Sequence, residues 1–215
     1  KWLIYAILAL LLLIIGFQLS DRFLTDFEQP GSSTTNYLQG PRLTKVSVNM
    51  PEDQSFHPSR GDLDISDDGS MFVYRGNDEN GGPLLWQRRW DELSGRPIPD
   101  TEGATRPNIS PDASEVVFQS GGRIRVVPIN GGLSRTLTEG ASDTPNWSPD
   151  GNWIYFTNRQ ELGISRIPSS GGESETISRA NRDNGEINHL TVQIPVDNRI
   201  IYEAQMENNT SLIKG

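Results

Sequence analysis

An all-β fold, a β-propeller of four-stranded antiparallel blades behind one N-terminal transmembrane α-helix, is predicted by three observations on this sequence. A short pattern recurs at intervals near forty residues, each copy is followed by a short apolar run, and residues 2–19 form one long uncharged stretch. The 21 Gly and 14 Pro among 215 residues, with no long helical period, fit many short strands joined by tight turns. A chain of this length with 34% hydrophobic residues has the material for one substantial core and an anchor.

From Trp2 to Leu19 no charged residue occurs. At helical rise this run spans roughly 27 Å, close to the hydrocarbon thickness of a bilayer. It lacks the polar face of a buried core helix, and no small-x-small cleavage site follows Phe17-Gln18-Leu19. Lys1 precedes the run, whereas Asp21, Arg22, Asp26 and Glu28 follow it. That balance puts the N-terminus inside and the blades on the far side of the membrane; the expected placement is a single-pass protein of a bacterial inner membrane, with a cytoplasmic N-terminus and the blades in the periplasm. Trp2, Phe17 and Phe23 are placed as interfacial anchors of a bilayer contact through residues 2–19. The expected organisation is a transmembrane helix over 1–20, a juxtamembrane segment and linker over 21–41, and a propeller over 42–215. Because residue 1 is Lys, the sequence is expected to begin inside a longer protein, and the propeller to continue past residue 215.

The repeat is carried by Asp64-Ile65-Ser66-Asp67-Asp68-Gly69, Asn108-Ile109-Ser110-Pro111-Asp112-Ala113 and Asn146-Trp147-Ser148-Pro149-Asp150-Gly151, with Gln193-Ile194-Pro195-Val196-Asp197-Asn198 as a degenerate fourth copy. Equivalent positions 66, 110, 148 and 195 lie 44, 38 and 47 residues apart, which is one four-stranded blade per period. The runs Met71–Tyr74, Val116–Phe118, Trp153–Phe156 and Ile200–Tyr202 are continuously apolar, as expected of strands buried on both faces. Alternating strands and Gly-rich hairpins follow, at Asn130-Gly131-Gly132 and Ser170-Gly171-Gly172.

In the repeated turn, Pro111 and Pro149 fix φ at the first corner, Asp68, Asp112 and Asp150 can bond back to the main chain, and Gly69 and Gly151 accept positive φ. Ser66, Ser110 and Ser148 open the three turns. Ala113 stands where the other two have Gly, so the second blade is expected to use an altered turn.

Trp147-Ser148-Pro149-Asp150-Gly151-Asn152-Trp153-Ile154-Tyr155-Phe156 resembles the blade motif of TolB-like, WD-repeat-like bacterial propellers. Leu93–Ala104 and Val127–Gly132 look like those propellers that are joined through one transmembrane helix to Ser/Thr kinase or winged-helix regulator domains. The resemblance covers about residues 42–215 and the segment 16–25. It implies six or seven blades, whereas three blades and three strands of a fourth fit the sequence. Arg42–Met50 alternates like a strand and is a candidate closing strand for the last blade.

No Gly-x-Ser-x-Gly elbow, phosphate-binding loop or zincin helix occurs, and His57 and His189 are the only histidines. No catalytic residue, cofactor or metal site is assigned, and the region is read as non-enzymatic. The cluster Asp62-Leu63-Asp64-Ile65-Ser66-Asp67-Asp68 lacks the glutamate that completes a calcium loop, since position 73 is Val. Zero cysteines exclude disulfides, and a net charge of −9 argues against nucleic acid. Trp86, Trp90, Trp147 and Trp153 are read as blade packing, with Trp90 the best candidate for an exposed aromatic.

Loops entering the innermost strands converge at the channel mouth, which makes Arg60, Arg106, Asp143 and His189 the binding candidates. The reading is a non-catalytic sensor or protein-interaction module that takes a protein or peptide partner and signals through its helix. The alternative is an accessory structural subunit, with the helix packed in a larger inner-membrane complex and the propeller capping its periplasmic face.

Overall fold

The computed structural model describes residues 61–139, 142–193 and 199–215. The predicted helix over 2–19, the linker, Arg42–Met50, Arg60 and most of the degenerate fourth turn lie outside them. Among the described residues, no helix is long and apolar enough to cross a membrane.

The strands of the described residues run in chain order as β1 (Leu63–Ile65), β2 (Met71–Asn77), β3 (Pro83–Arg89), β4 (Arg96–Pro97), β5 (Thr105–Ile109), β6 (Glu115–Ser120), β7 (Arg123–Pro128), β8 (Arg135–Thr136), β9 (Ser142–Trp147), β10 (Trp153–Asn158), β11 (Gly163–Pro168), β12 (Glu175–Arg179), β13 (Glu186–Gln193), β14 (Ile201–Met206) and β15 (Ser211–Lys214). They form three four-stranded sheets, β1–β4, β5–β8 and β9–β12, and one three-stranded sheet, β13–β15. Every pairing is antiparallel between consecutive strands, so each sheet is a meander and the period near forty is one blade.

Period-2 alternation explains how a continuously apolar strand is used. From β6, Val116 and Phe118 pack with Met71, Val73, Leu85 and Ile98 of the first blade. Val117 points the other way and packs with Trp147, Ile154 and Phe156 of the third. Tyr155 and Ile164 of the third blade then meet Ile200 and Tyr202 of the fourth. The fourth blade departs from expectation: its run Ile200–Tyr202 was read as buried on both faces, yet Ile201 is exposed. Among the described residues that blade has a neighbour on one side only.

The innermost strands of neighbouring blades are stitched by side chains. Asp64 Oδ2 accepts from Ile109 N at 2.7 Å and from Asn108 Nδ2 at 3.0 Å. One blade on, Asn108 Oδ1 accepts from Trp147 N at 2.7 Å, and Trp147 Nε1 donates to Asn108 O at 3.2 Å. The residue two places before the turn serine thus satisfies the N–H one place before the next turn serine. A second recurring hydroxyl holds the outer strand: Thr101, Thr138 and Ser178 accept from Leu85 N, Ile124 N and Ile164 N at 3.1, 3.1 and 3.3 Å.

The three turns are built alike. Ser66, Ser110 and Ser148 donate to Asp68, Asp112 and Asp150 at 2.6, 2.6 and 2.5 Å. Each serine Oγ also accepts from the amide five residues on, that of Met71, Glu115 or Trp153, at 3.2, 2.9 and 2.9 Å. The carboxylates accept from Ser70 N, Ser114 N and Asn152 N at 2.9, 3.1 and 3.1 Å. These bonds hold Asp68 down to about 2 and lower Asp112 and Asp150 below the usual carboxylate range.

The altered turn expected at Ala113 is not found. Ala113 has φ 55° and donates to Ser110 O at 2.8 Å, as Gly69 and Gly151 do to Ser66 O and Ser148 O at 2.7 and 2.9 Å. The serine and aspartate bonds fix the reversal, and Ala113 accepts the left-handed conformation, which costs about 1–2 kcal/mol. Its methyl packs against the core between blades one and two, offsetting part of that by up to about 0.8 kcal/mol.

Gly69→Ala is therefore expected to lower stability by about 1–2 kcal/mol, since Gly69 has φ 67° and the added Cβ would meet nothing within 4 Å to offset that cost; Ala113→Gly should change stability less, as read by urea unfolding. Asn108→Ala leaves Trp147 N–H without its acceptor and should cost about 1–3 kcal/mol, measured in the same way. The depressed turn carboxyls take up protons in the unfolded chain before they do in the native one. Their contribution is complete above about pH 4 and is lost as pH falls toward about 2. Unfolding free energy should fall across that window, and Asp68→Asn should flatten the fall. Asp64, whose carboxyl burial pushes up, acts in the opposite sense on acidification.

Candidate functional site at the inner mouth

In a meander, successive turns alternate between the two ends of a sheet. The serine–aspartate turns and the β3–β4, β7–β8 and β11–β12 connections share one end, while the inner strands begin at the other. A cavity of about 560 Å³ lies along the inner strands toward this second end. Leu63 and Asp64 of β1, Arg106, Pro107 and Asn108 of β5, Asp143 to Asn146 of β9, Leu190 of β13, Glu203 of β14 and Arg159 line it. Four successive blades contribute to one wall.

Asp143 is 6% exposed and sits between two arginines. Arg106 Nη1 contacts its Oδ1, Arg159 Nη2 donates to its Oδ2 at 2.7 Å, and Thr144 N donates to Oδ1 at 2.9 Å. Two guanidiniums sharing one carboxylate leave a local excess of positive charge, which is met on the same wall by the carboxyls of Asp64 and Glu203; three acidic residues and two arginines line the cavity. Arg159 is 60% exposed and Arg106 38%, so both present charge to the cavity.

The backbone here is strained in two equivalent places. Arg106 and Thr144, each preceding a proline, have φ 54° and 44°. Each lies at a bulge: Arg106 and Pro107 oppose Phe118 alone, and Thr144 and Pro145 oppose Phe156 alone. Proline forgoes the ladder donor, and the bulge turns the preceding side chain out of the pleat. Such conformations cost about 1–3 kcal/mol each and cluster where a side chain has to be aimed.

Of the four channel-mouth candidates, Arg106 and Asp143 are brought together at this cavity, and Arg60 lies outside the described residues. His189 requires correction: it is not at the mouth but 2% exposed between the third and fourth blades. Its Nδ1 is 2.8 Å from Ser178 Oγ, its Nε2 2.9 Å from Glu186 Oε2, and its ring 4.5 Å from that of Tyr202. Glu186 also accepts from Asn181 N at 2.9 Å and pairs with Lys214. The amide bond first, then Lys214 and His189, hold its carboxyl down to about 2. Ser178 is the third member of the hydroxyl series begun by Thr101 and Thr138, so this serine–histidine–glutamate chain is blade-to-blade packing.

Arg159, Thr144 and Glu203 escaped sequence reasoning. The Arg106-Pro107-Asn108 and Thr144-Pro145-Asn146 correspondence is a usable signal for Thr144; Arg159 comes from the turn between β10 and β11 and Glu203 from β14, and no repeated motif marks either. The turn residues Ser66, Asp68, Gly69, Ser110, Pro111, Asp112, Ser148, Pro149, Asp150 and Gly151 stand at the opposite end. Of the tryptophans, Trp147 is buried, Trp86 and Trp153 are half-buried, and Trp90 is 37% exposed, stacked on Phe72 at 4.7 Å. The carboxylates of the calcium-like cluster do not converge: Asp62 faces Arg75, Asp64 the next blade, and Asp68 its own turn.

No protein-family model matches this chain, and none of the curated proteins does. Solved structures are similar to it. A putative TolB from Agrobacterium tumefaciens shares 21% identity at TM-score 0.60, over 67% of this chain and 54% of that one. TolB from Acinetobacter baumannii shares 16% at TM-score 0.51, over 71% and 42%. An oligogalacturonate lyase in complex with manganese shares 13% at TM-score 0.54, over 71% and 48%. The chain thus spans about half the length of the structures it resembles. At these identities the likeness establishes the fold, a propeller of TolB-like blades.

Proposed function

We propose that the inner mouth is a docking site for a protein or peptide segment, and that the chain is a non-catalytic interaction module held at the bacterial inner membrane by residues 2–19. The observation that carries the reading is the cavity of about 560 Å³ to which four blades contribute and into which Arg106 and Arg159 project around buried Asp143. Its charged and amide side chains suit polar recognition. The expectation of a periplasmic sensor reporting through one helix rests on the charge balance around the apolar run and on the resemblance to propellers linked to kinase or regulator domains.

A photo-reactive phenylalanine analogue at Leu190, in the full chain in cells, should yield a discrete protein adduct. Arg159→Glu, at an exposed position, should abolish the adduct while leaving the melting temperature unchanged. An adduct that survives Arg159→Glu, or none from any lining position, would refute the docking site. Deleting residues 42–215 from the full gene should abolish signalling output, and unchanged output would refute the sensor role.

A further inference from the structure

The opposite end of the blades carries a second concavity. Between the second and third blades, the two Ser-Pro-Asp turns enclose a groove of about 230 Å³. Trp147, Pro111 and Pro149 supply apolar lining, and Asp112, Asp150 and Glu115 supply the acidic lining. Arg135 joins two residues of the lining, pairing with Glu115 of the second blade and donating to Ser169 O of the third at 2.8 Å. Two residues before Arg135, in the same hairpin, Leu133 is 90% exposed.

The repeat supplies an internal comparison for that leucine. Leu93, 91% exposed, occupies the corresponding hairpin of the first blade, immediately before a serine as Leu133 is. In the third blade the position is Glu173, also exposed. The hairpin therefore folds with a charged residue there, and the leucines serve no packing need of their own blades. Charge decides what such a surface can receive. Asp112 and Asp150 are satisfied by the hydroxyl and amides of their own turns rather than by an arginine, so they keep their full negative charge at the groove. A cation entering between Pro111 and Pro149 would meet two carboxylates and the indole of Trp147.

We propose that this groove and Leu133 together dock a segment of a partner protein that places a lysine or arginine between the two turns and an apolar side chain against Leu133. A nucleic acid or anionic lipid would be repelled by the same carboxylates. The surface is independent of the inner mouth, at the other end of the sheets, so either site can fail without the other.

The test is fluorescence anisotropy of the full chain with a labelled, amidated peptide bearing two lysines and two leucines in a Gly-Ser background. A counterpart carrying glutamates in place of the lysines is the control. Binding of the lysine peptide alone is expected, weakened at least about tenfold by Leu133→Glu and likewise by Ser169→Lys, which fills the groove from its outer wall. Leu133→Glu adds negative charge, so diffuse attraction between a cationic peptide and an acidic protein would strengthen. Equal or tighter binding by that variant overturns the proposal, as does equal binding of the glutamate peptide or no binding of either. Self-association of the full chain that Leu133→Glu abolishes, without peptide binding, would also overturn it by making a second copy the occupant.

Discussion

Each blade has two apolar faces and can bury neither alone. Everything else in the structure follows from how neighbours cover them. The second strand of a blade carries a continuous apolar run because odd and even side chains serve different neighbours, Val116 and Phe118 toward one blade and Val117 toward the next. Apolar contact is non-directional, however, and would tolerate sliding of one sheet over another. The polar stitches at Asp64 and Asn108 remove that freedom, since each fixes a particular amide of the next inner strand. Asp100 does the same at the outer edge, accepting from Ser134 N at 2.6 Å and pairing with Arg125 of the next blade. Burial provides the cohesion and directed hydrogen bonds provide the register.

How much of this was legible depended on whether a feature repeats. The blade period, the strand order and the turn residues were readable because each is written several times in one chain, and three independent copies outweigh the ambiguity of any short apolar run. The stitch was written as plainly, as Asp64 and Asn108 two places before their turn serines. It went unread because the partner N–H lies a whole blade away, and periodicity says nothing about which backbone donors are left over. Ala113 misled for a different reason. Propensity priced the residue alone, whereas the serine and aspartate bonds on either side dictate the turn and the core rewards the methyl.

His189 and Arg159 show the limit for single residues. His189 occurs in an inner strand, as a channel-mouth residue should, but alternation sends its side chain between blades, where Glu186 and Ser178 complete its hydrogen bonds. Arg159 reaches the cavity from a turn that has no counterpart motif in the other blades, and nothing short of the ion pair with Asp143 marks it. A repeat therefore announces the scaffold and conceals the residues that break its symmetry, which are the ones able to distinguish one ligand from another.

The division between the two ends has a mechanical basis. At the turn end, the three described first reversals of the blades are locked by the same serine and aspartate, so side chains such as Leu93 and Leu133 are carried on hairpins next to fixed turns. At the inner-strand end the chain instead enters through bulges, with Arg106 and Thr144 held in left-handed backbone ahead of a proline. Strain of that kind persists only when its surroundings over-determine it. Here the Arg106–Asp143–Arg159 arrangement does so, tying the bulged strand of one blade to the bulged strand and a turn of the next. A ligand that engaged either guanidinium would act on the ion pair that restrains both bulges, so the inner mouth is the end at which binding can change the relation between blades, whereas the turn end offers a rigid surface.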